Sequence, residues 1–451
     1  MAARRHAGQY DTRVSFHLPT LKELRKSVGL TQREAADAYG LKEEGVKQWQ
    51  RIEDWSDGKC NSRPVEARLL KFAERYQRAL ARMPLRPAVT VSPRYFVRML
   101  REGPFTRGRR PNAGKHLLCV DFYGDTEVQN YFAHEVRSEA ERRGMRFDLK
   151  HCFGDEAAFL ACIDPDAALA SNCDAVVTSL PPSAAAYPLR ELARKVPVVV
   201  CGSSITGEGE PDVLLYNVST PSAPIGRELA ERLVGAGLLD NGHPVLVLTH
   251  YRHAFLQERF DYLTSALAHH ARRFGRSGVG SQVTPLEVRG GDAPEEVDGI
   301  KRVLRRLKAS ESRPAVVVPL FYGATKHVVS GVLQDERWRP RVRVLSTDMA
   351  NDWIPLMRMA RTSWLGTAIV STSLIARSAV GLADALLVGF RLPEHYSQIQ
   401  MPHTFVSSEW LTGRGHLRQV GDLEREAFSD LSRRHEAEHP WLDLATAGPG
   451  G

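Results

Sequence analysis

Beyond His116, apolar residues arrive in short unbroken runs, separated by stretches in which they recur every three or four positions. HLLCVDFYG, MRFDLKHC, CDAVVTSL, VPVVVCGSS, DVLLYN, PVLVLTH, PAVVVPLF and RVRVLSTD read as strands, and TEVQNYFAHEVRSEAERRG, between the first two, reads as a helix. Strands this continuously apolar with helices between them predict parallel sheets covered on both faces. An alternation of about 300 residues suits two doubly wound lobes better than one. The expected fold class is therefore α/β, a two-lobed parallel-sheet domain over residues 116–420, preceded by an all-α head.

The head has a different period. Thr20 and Glu23 form one capping box and Thr31 and Glu34 another, each at the start of a short helix. Leu21, Leu24 and Val28 line the first helix, and Gly29 ends it. In the next pair, Ala36 is small, Gly40 sits at the turn, and Val46 and Trp49 share a face. Lys42, Glu43, Glu44, Lys47, Gln48 and Arg51 fill the outward positions. Pro64 opens a further helix whose Leu69, Leu70, Phe72, Ala73 and Tyr76 close the bundle. The expected organisation is a mobile arm at 1–17, a helix-turn-helix domain at 18–83 and a basic linker at 84–115. The linker carries a short amphipathic helix near 94–101. The sensor-like body follows at 116–420, then a polar tail at 421–451 with one helix near 423–439.

Charge divides the same way. Residues 1–116 hold 25 Lys/Arg against 12 Asp/Glu, and the remainder holds 36 against 41. A basic head on a mildly acidic body suits a polyanion-binding module joined to something else. No apolar run approaches the ~20 residues that span a bilayer. The six cysteines form no CxxC pair and read as free thiols of a reducing cytoplasm. HExxH, GxSxG and a strand-end GxGxxG are all missing. His250 and His253 have no further ligands at metal spacing and read as ordinary histidines. The expectation is no enzyme, no cofactor and no metal.

In doubly wound sheets ligands bind beyond the carboxyl ends of the strands. The residues there are Phe122, Tyr123, Asp125, Ser179, Ser203, Ser204, Asn217, His250, Tyr251, Phe321, Tyr322, Asp348, Asn351, Asp352 and Trp353. Rings beside carboxylates and amides suit a small polar ligand, the rings stacking on its apolar face.

Two resemblances sharpen this reading. GLTQREAADAYGLKEEGVKQWQ resembles the phage-repressor (Cro/Xre-type) helix-turn-helix family over residues 18–82. The resemblance implies that the helix from Lys42 enters the major groove. Lys42, Glu43, Glu44, Lys47 and Gln48 would then face bases, with Gln32 and Arg51 near phosphates. The order of elements from 116 to 410 resembles the LacI/GalR-type sensor, which is related to type I periplasmic binding proteins. DVLLYNVSTPSAPIGRELAERLVGAGLLDNGHPVLVLTH, QERFDYLTSAL, VRVLSTDM and TSWLGTAIVSTSLIARSAVGLADALL carry the likeness. It implies ligand contacts at Arg259 and Asp348 and a returning helix in the last segment. Leu320-Phe321 and Tyr262 stand where that family has Asn-Asp and a glycine.

Together these imply a cytoplasmic, homodimeric, ligand-responsive regulator, in the repressor sense, with a double-stranded DNA operator and a small effector such as a sugar. Its ligand contacts are expected at Phe122, Tyr123, Asp125, Ser203, Asn217, Tyr251, Arg259, Phe321, Tyr322, Asp348 and Trp353. An enzyme of sugar or nucleotide metabolism, or a sensor whose head binds protein, are the alternatives.

Overall fold

The computed structural model describes residues 112–438 apart from 125, 171, 203–204, 206–212, 240–241, 252, 274–282, 290–293, 388–389 and 392–397. Residues 31–33, 47, 50 and 90–91 are also described. The chain divides into two compact units. One is Met1–Gly114 with Asp384–Ser397 and Glu436–Gly451; the other is Lys115–Ala383 with Gln398–His435.

In the first unit Gln32 and Lys47 are helical, Gln32 half-buried and Lys47 exposed. Lys42, Glu43, Glu44, Gln48 and Arg51 lie outside the described residues, as does residues 94–101. Thr90–Val91 pairs antiparallel with Phe390–Arg391. The buried Asn112 amide donates to the Asp384 carbonyl at 2.9 Å.

The second unit begins β1 (His116–Asp121), α1 (Glu127–Arg142), β2 (Arg146–His151), α2 (Glu156–Cys162), α3 (Pro165–Ala170), β3 (Ala175–Ser179), α4 (Ala186–Ala193), β4 (Val198–Cys201), β5 (Leu215–Ser219). It continues α5 (Ser222–Gly235), β6 (Val245–Thr249), α6 (Ala254–Arg273), β7 (Val283–Glu287), α7 (Pro294–Arg306), β8 (Ala315–Pro319), α8 (Tyr322–Val328), β9 (Val342–Thr347), α9 (Trp353–Met359). It ends β10 (Trp364–Val370), α10 (Thr372–Leu387), β11 (Gln398–Gln400), β12 (His403–Ser407), α11 (Ser408–Thr412), α12 (Val420–Ala427), α13 (Ser429–Glu438).

These strands form two six-stranded sheets, one per lobe, ordered β11-β5-β4-β3-β1-β2 and β12-β10-β9-β8-β6-β7. Every pairing is parallel except that of β12 with β10. The central strands are buried along their whole length, which is why their sequences lack polar alternation. Successive side chains face opposite layers. Val317, Val344 and Leu246 pack against Ile300, Leu304 and Trp353. Val316, Val318 and Val247 pack against Ile225, Leu229 and Leu263. A fully buried Val or Leu contributes roughly 1.5–3 kcal/mol, so these two layers dominate the lobe.

The chain crosses between lobes three times: after β5, after β10 and between β11 and β12. At the third crossing the Met401 N–H donates to the Ser219 carbonyl at 3.0 Å, tying it to the first. After the first crossing α5 lies against α6, with Gly226 at their closest approach. A Cβ there would stand 2.6 Å from the Arg259 carbonyl oxygen, too close for any other residue.

The stretch 362–387 differs from the expected single helix. Residues 364–370 are strand β10, rich in residues that favour sheets and buried on nearly every side, so they show no strand period. The helix starts only at Thr372, where the Ser371 hydroxyl accepts the Leu374 N–H at 3.1 Å. Residues 420–438, read as a polar tail with one helix, form two helices that bury Leu423 and Phe428 in the second-lobe core.

Glu424 of α12 reaches the start of α10. Its carboxylate accepts from the Ser371 hydroxyl (2.9 Å) and from the Thr372 (3.0 Å) and Ser373 (3.2 Å) N–H groups. Burial nevertheless pushes its pKa up to about 7, against those bonds. The folded chain therefore keeps a proton that the unfolded chain releases near pH ~4.3, so this group's contribution to stability falls as pH rises toward 7. Glu424→Gln is expected to flatten that slope by up to ~3 kcal/mol between pH 5 and 8. Denaturant unfolding at both values checks it, and an unchanged slope refutes the assignment.

Candidate ligand-binding site

Parallel pairing in register brings strand ends together. Asp121 is level with Ser179, and Ser179 with Cys201. In the other sheet Leu248 is level with Pro319, and Thr347 with Ala368. The loops after these strands face one another across a cavity of about 270 Å³. The first lobe lines it with Tyr123, Glu127, Val128, Gln129, Phe132, Ser179, Leu180, Gly202 and Thr220. The second contributes His250, His253, Phe255, Arg259, Arg289, Phe321, Tyr322, Lys326, Thr347 and Asp348.

Asp348 follows β9 with φ +65°, a left-handed conformation that aspartate tolerates better than most residues. Strand β10 holds it there. The Asp348 N–H donates to the Ala368 carbonyl (3.1 Å), and the Asp348 carbonyl accepts from the Thr367 hydroxyl (2.8 Å). Burial raises the carboxyl's pKa, while the Arg259 guanidinium and the Tyr322 N–H oppose the rise.

Arg259 is only 3% exposed. One Nη donates to the Leu320 carbonyl, and the guanidinium lies 5.8 Å from the Phe255 ring centroid. Its Nε finds no acceptor among the described residues. A buried donor left unmatched costs about 1–3 kcal/mol, which a ligand acceptor offsets.

Aromatic residues frame the two ends. Tyr322 stacks on the buried Trp353 with centroids 5.0 Å apart. Tyr123 packs edge-on to Phe122 at 4.9 Å, and Phe122 in turn meets Phe159 at 5.7 Å. Polar contacts join the lobes, among them one in which the Tyr322 hydroxyl accepts from the Glu127 N–H. Tyr123 Oη bonds His253 Nε2, and the Asn351 N–H donates to Glu127 Oε1 at 2.8 Å. Burial and the neighbouring His250 hold the His253 pKa down, to about 4, so its neutral ring accepts from the tyrosine.

Of the strand-end residues named from sequence, Tyr123, Ser179, His250, Phe321, Tyr322 and Asp348 line the cavity, as does Arg259, expected from the resemblance. Phe122 and Trp353 stand behind the cavity rings, as neighbours of Tyr123 and Tyr322. Asn217 is fully buried and donates to the Ile205 carbonyl at 2.6 Å. Tyr251 is exposed, edge-on to Phe260. Asp125 and Ser203 lie outside the described residues. Residues one turn into the helices were missed: Gln129 and Phe132 on α1, Phe255 on α6, Lys326 on α8. Their signal was the three- and four-residue spacing from the strand-end residue, which carries a helix back over the cleft.

No protein-family profile matches the chain, and no curated protein matches its sequence. Solved structures do match. A sugar ABC transporter protein from Yersinia enterocolitica has a TM-score of 0.58 at 16% identity, covering 74% of this chain and 96% of that one. The 5-methylthioribose transporter solute-binding protein of Thermotoga lettingae, in complex with 5-methylthioribose, gives 0.56 at 16%, covering 72% and 98%. The periplasmic component of the arabinose ABC transporter from Shewanella, bound to L-arabinofuranose, gives 0.54 at 15%, covering 69% and 98%. The second unit therefore has the type I periplasmic-binding-protein fold, with two parallel-rich sheets.

His253 supplies an acid-side test of the site. Its folded pKa lies below the unfolded value near ~6.5, so the unfolded chain takes up a proton first as pH falls. Its contribution to stability is constant above that value and is lost as pH falls toward 4. His253→Gln is expected to reduce the loss of stability between pH 6.5 and 4 by on the order of 2–3 kcal/mol. Unfolding curves across that range check it; an unaltered acid limb refutes it.

Proposed function

We propose that the chain is a ligand-responsive DNA-binding regulator, in the repressor sense, whose two-lobed unit takes up a small hydroxylated molecule such as a sugar. The observation that carries the ligand half is the buried Arg259, with an unmatched Nε, beside Asp348 in the cleft between the lobes. A carboxylate and a guanidinium accept and donate to adjacent hydroxyls, and rings beside them cover a sugar's apolar face. Proteins of the same fold bind 5-methylthioribose and L-arabinofuranose, which supports the same class here. The DNA half rests on sequence: the repressor-like spacing of Ala36, Gly40, Val46 and Trp49, and the basic balance of residues 1–116. A chain of this kind works as a cytoplasmic homodimer, with ligand and operator coupled through the populations of two states. The fold neighbours serve transport, so a binding protein without a DNA function is the competing reading.

Thermal-shift screening of sugars should identify a stabilising ligand. Asp348→Asn should then weaken its binding by roughly 10–100-fold, the loss of one charge-assisted bond. Polarisation with selected operator DNA should show affinity falling steeply with salt, and Lys42→Gln and Lys47→Gln should each weaken it. Absence of any preference for a selected site over random DNA refutes the DNA half and leaves the ligand half standing.

A further inference from the structure

The first-lobe wall of the cleft carries a local apolar patch, and the backbone builds it. On the second lobe the groups facing the cavity include Asp348 and Arg259, the latter with a buried donor to spare. On the first lobe the corresponding strand end presents Leu180. Its φ is +47°, a left-handed conformation that is unfavourable for a residue with a side chain. The Leu180 N–H is fixed to the Cys201 carbonyl at 2.9 Å. Its Cδ2 lies over Gly202, where a Cβ would come within 2.6 Å, so glycine at that position is what admits the isobutyl group. Leu180 is half-buried and lines the cavity. Val128 and Phe132, from α1, join it on the same wall. The hydroxyl nearest in sequence, Ser179, is spent within the protein, donating to Gln129 Oε1 at 3.0 Å. A ligand hydroxyl placed against Leu180, Val128 and Phe132 loses water without gaining a partner there; the polar groups of this wall, among them Glu127 and the Thr220 hydroxyl, which is unmatched among the described residues, lie outside that patch.

Resting on the sugar reading above, we propose that the ligand is amphipathic. It is a sugar whose hydroxylated face meets Asp348 and Arg259 and whose apolar substituent, an aryl or alkylthio group, seats on Leu180, Val128 and Phe132. The unsubstituted monosaccharide is the weaker ligand.

Calorimetry on the full chain tests this with matched pairs: D-glucose, D-galactose and D-ribose, each against its phenyl glycoside and its methyl thioglycoside. At least one substituted sugar is expected to bind at least about tenfold tighter than its parent, with a more negative heat-capacity change. Leu180→Asn retains a residue suited to the left-handed backbone and should cut that preference to within about threefold. Parents binding as tightly as their glycosides overturn the inference while leaving the sugar site intact; so does a preference that survives Leu180→Asn. Failure of every sugar to bind, substituted or not, overturns the sugar reading and this inference together.

Discussion

The second lobe's half of the cleft depends on one backbone conformation. Asp348 sits at φ +65° because β10 takes both its N–H and its carbonyl, leaving the carboxylate to turn toward Arg259. Without β10 beside β9 neither bond exists, and an extended strand would carry the carboxylate elsewhere. The pair it forms is incomplete as a structural ion pair. Burial disfavours charge on both partners, and each offsets part of the other's cost. A buried polar pair with one donor unmatched is poor architecture for stability alone, and good architecture for a group that arrives from outside.

The lobes meet at this cleft through few polar contacts. Tyr123 with His253, Asn351 with Glu127, and the Tyr322 hydroxyl with the Glu127 N–H are worth about 1 kcal/mol each on ordinary scales. The Asn351 side chain extends the second contact, since its Oδ1 accepts the Val420 N–H at 2.7 Å. Helix α12 is thus linked to the first lobe through Asn351, and through Glu424 to the start of α10 at the second crossing. Interactions this small leave the balance between lobe arrangements within reach of a ligand's differential affinity, which is what a sensor requires.

How much of this was legible in the sequence follows from burial. Strands β1, β3, β4, β6, β8 and β9 announced themselves because both faces are covered and the runs are apolar. Strand β7 did not, since it is an edge strand holding Pro285 and only partly buried. Strand β10 was taken into the following helix, because burial on all sides erased its period. At the site, looking just past each strand located Tyr123, Phe321, Tyr322 and Asp348. It did not separate Tyr123 from Phe122, or His250 from Tyr251. Neighbours at a strand end point to opposite faces, and which one faces the cleft is decided by the lobe's packing. Arg259 came from family likeness, because a lone arginine in an amphipathic helix has no local mark of burial.

Two residues with side chains, Leu180 and Asp348, take left-handed backbone on opposite walls of one cavity. Each conformation is costly on its own, and each is held by hydrogen bonds to an adjoining strand end. Such strain concentrates where a surface must present a particular group at a particular point. On one wall the group presented is a carboxyl beside a guanidinium; on the other it is a hydrocarbon over a glycine. What the cleft presents at these two points is therefore set by backbone geometry. A side-chain substitution at either position changes what is recognised more readily than where it is held.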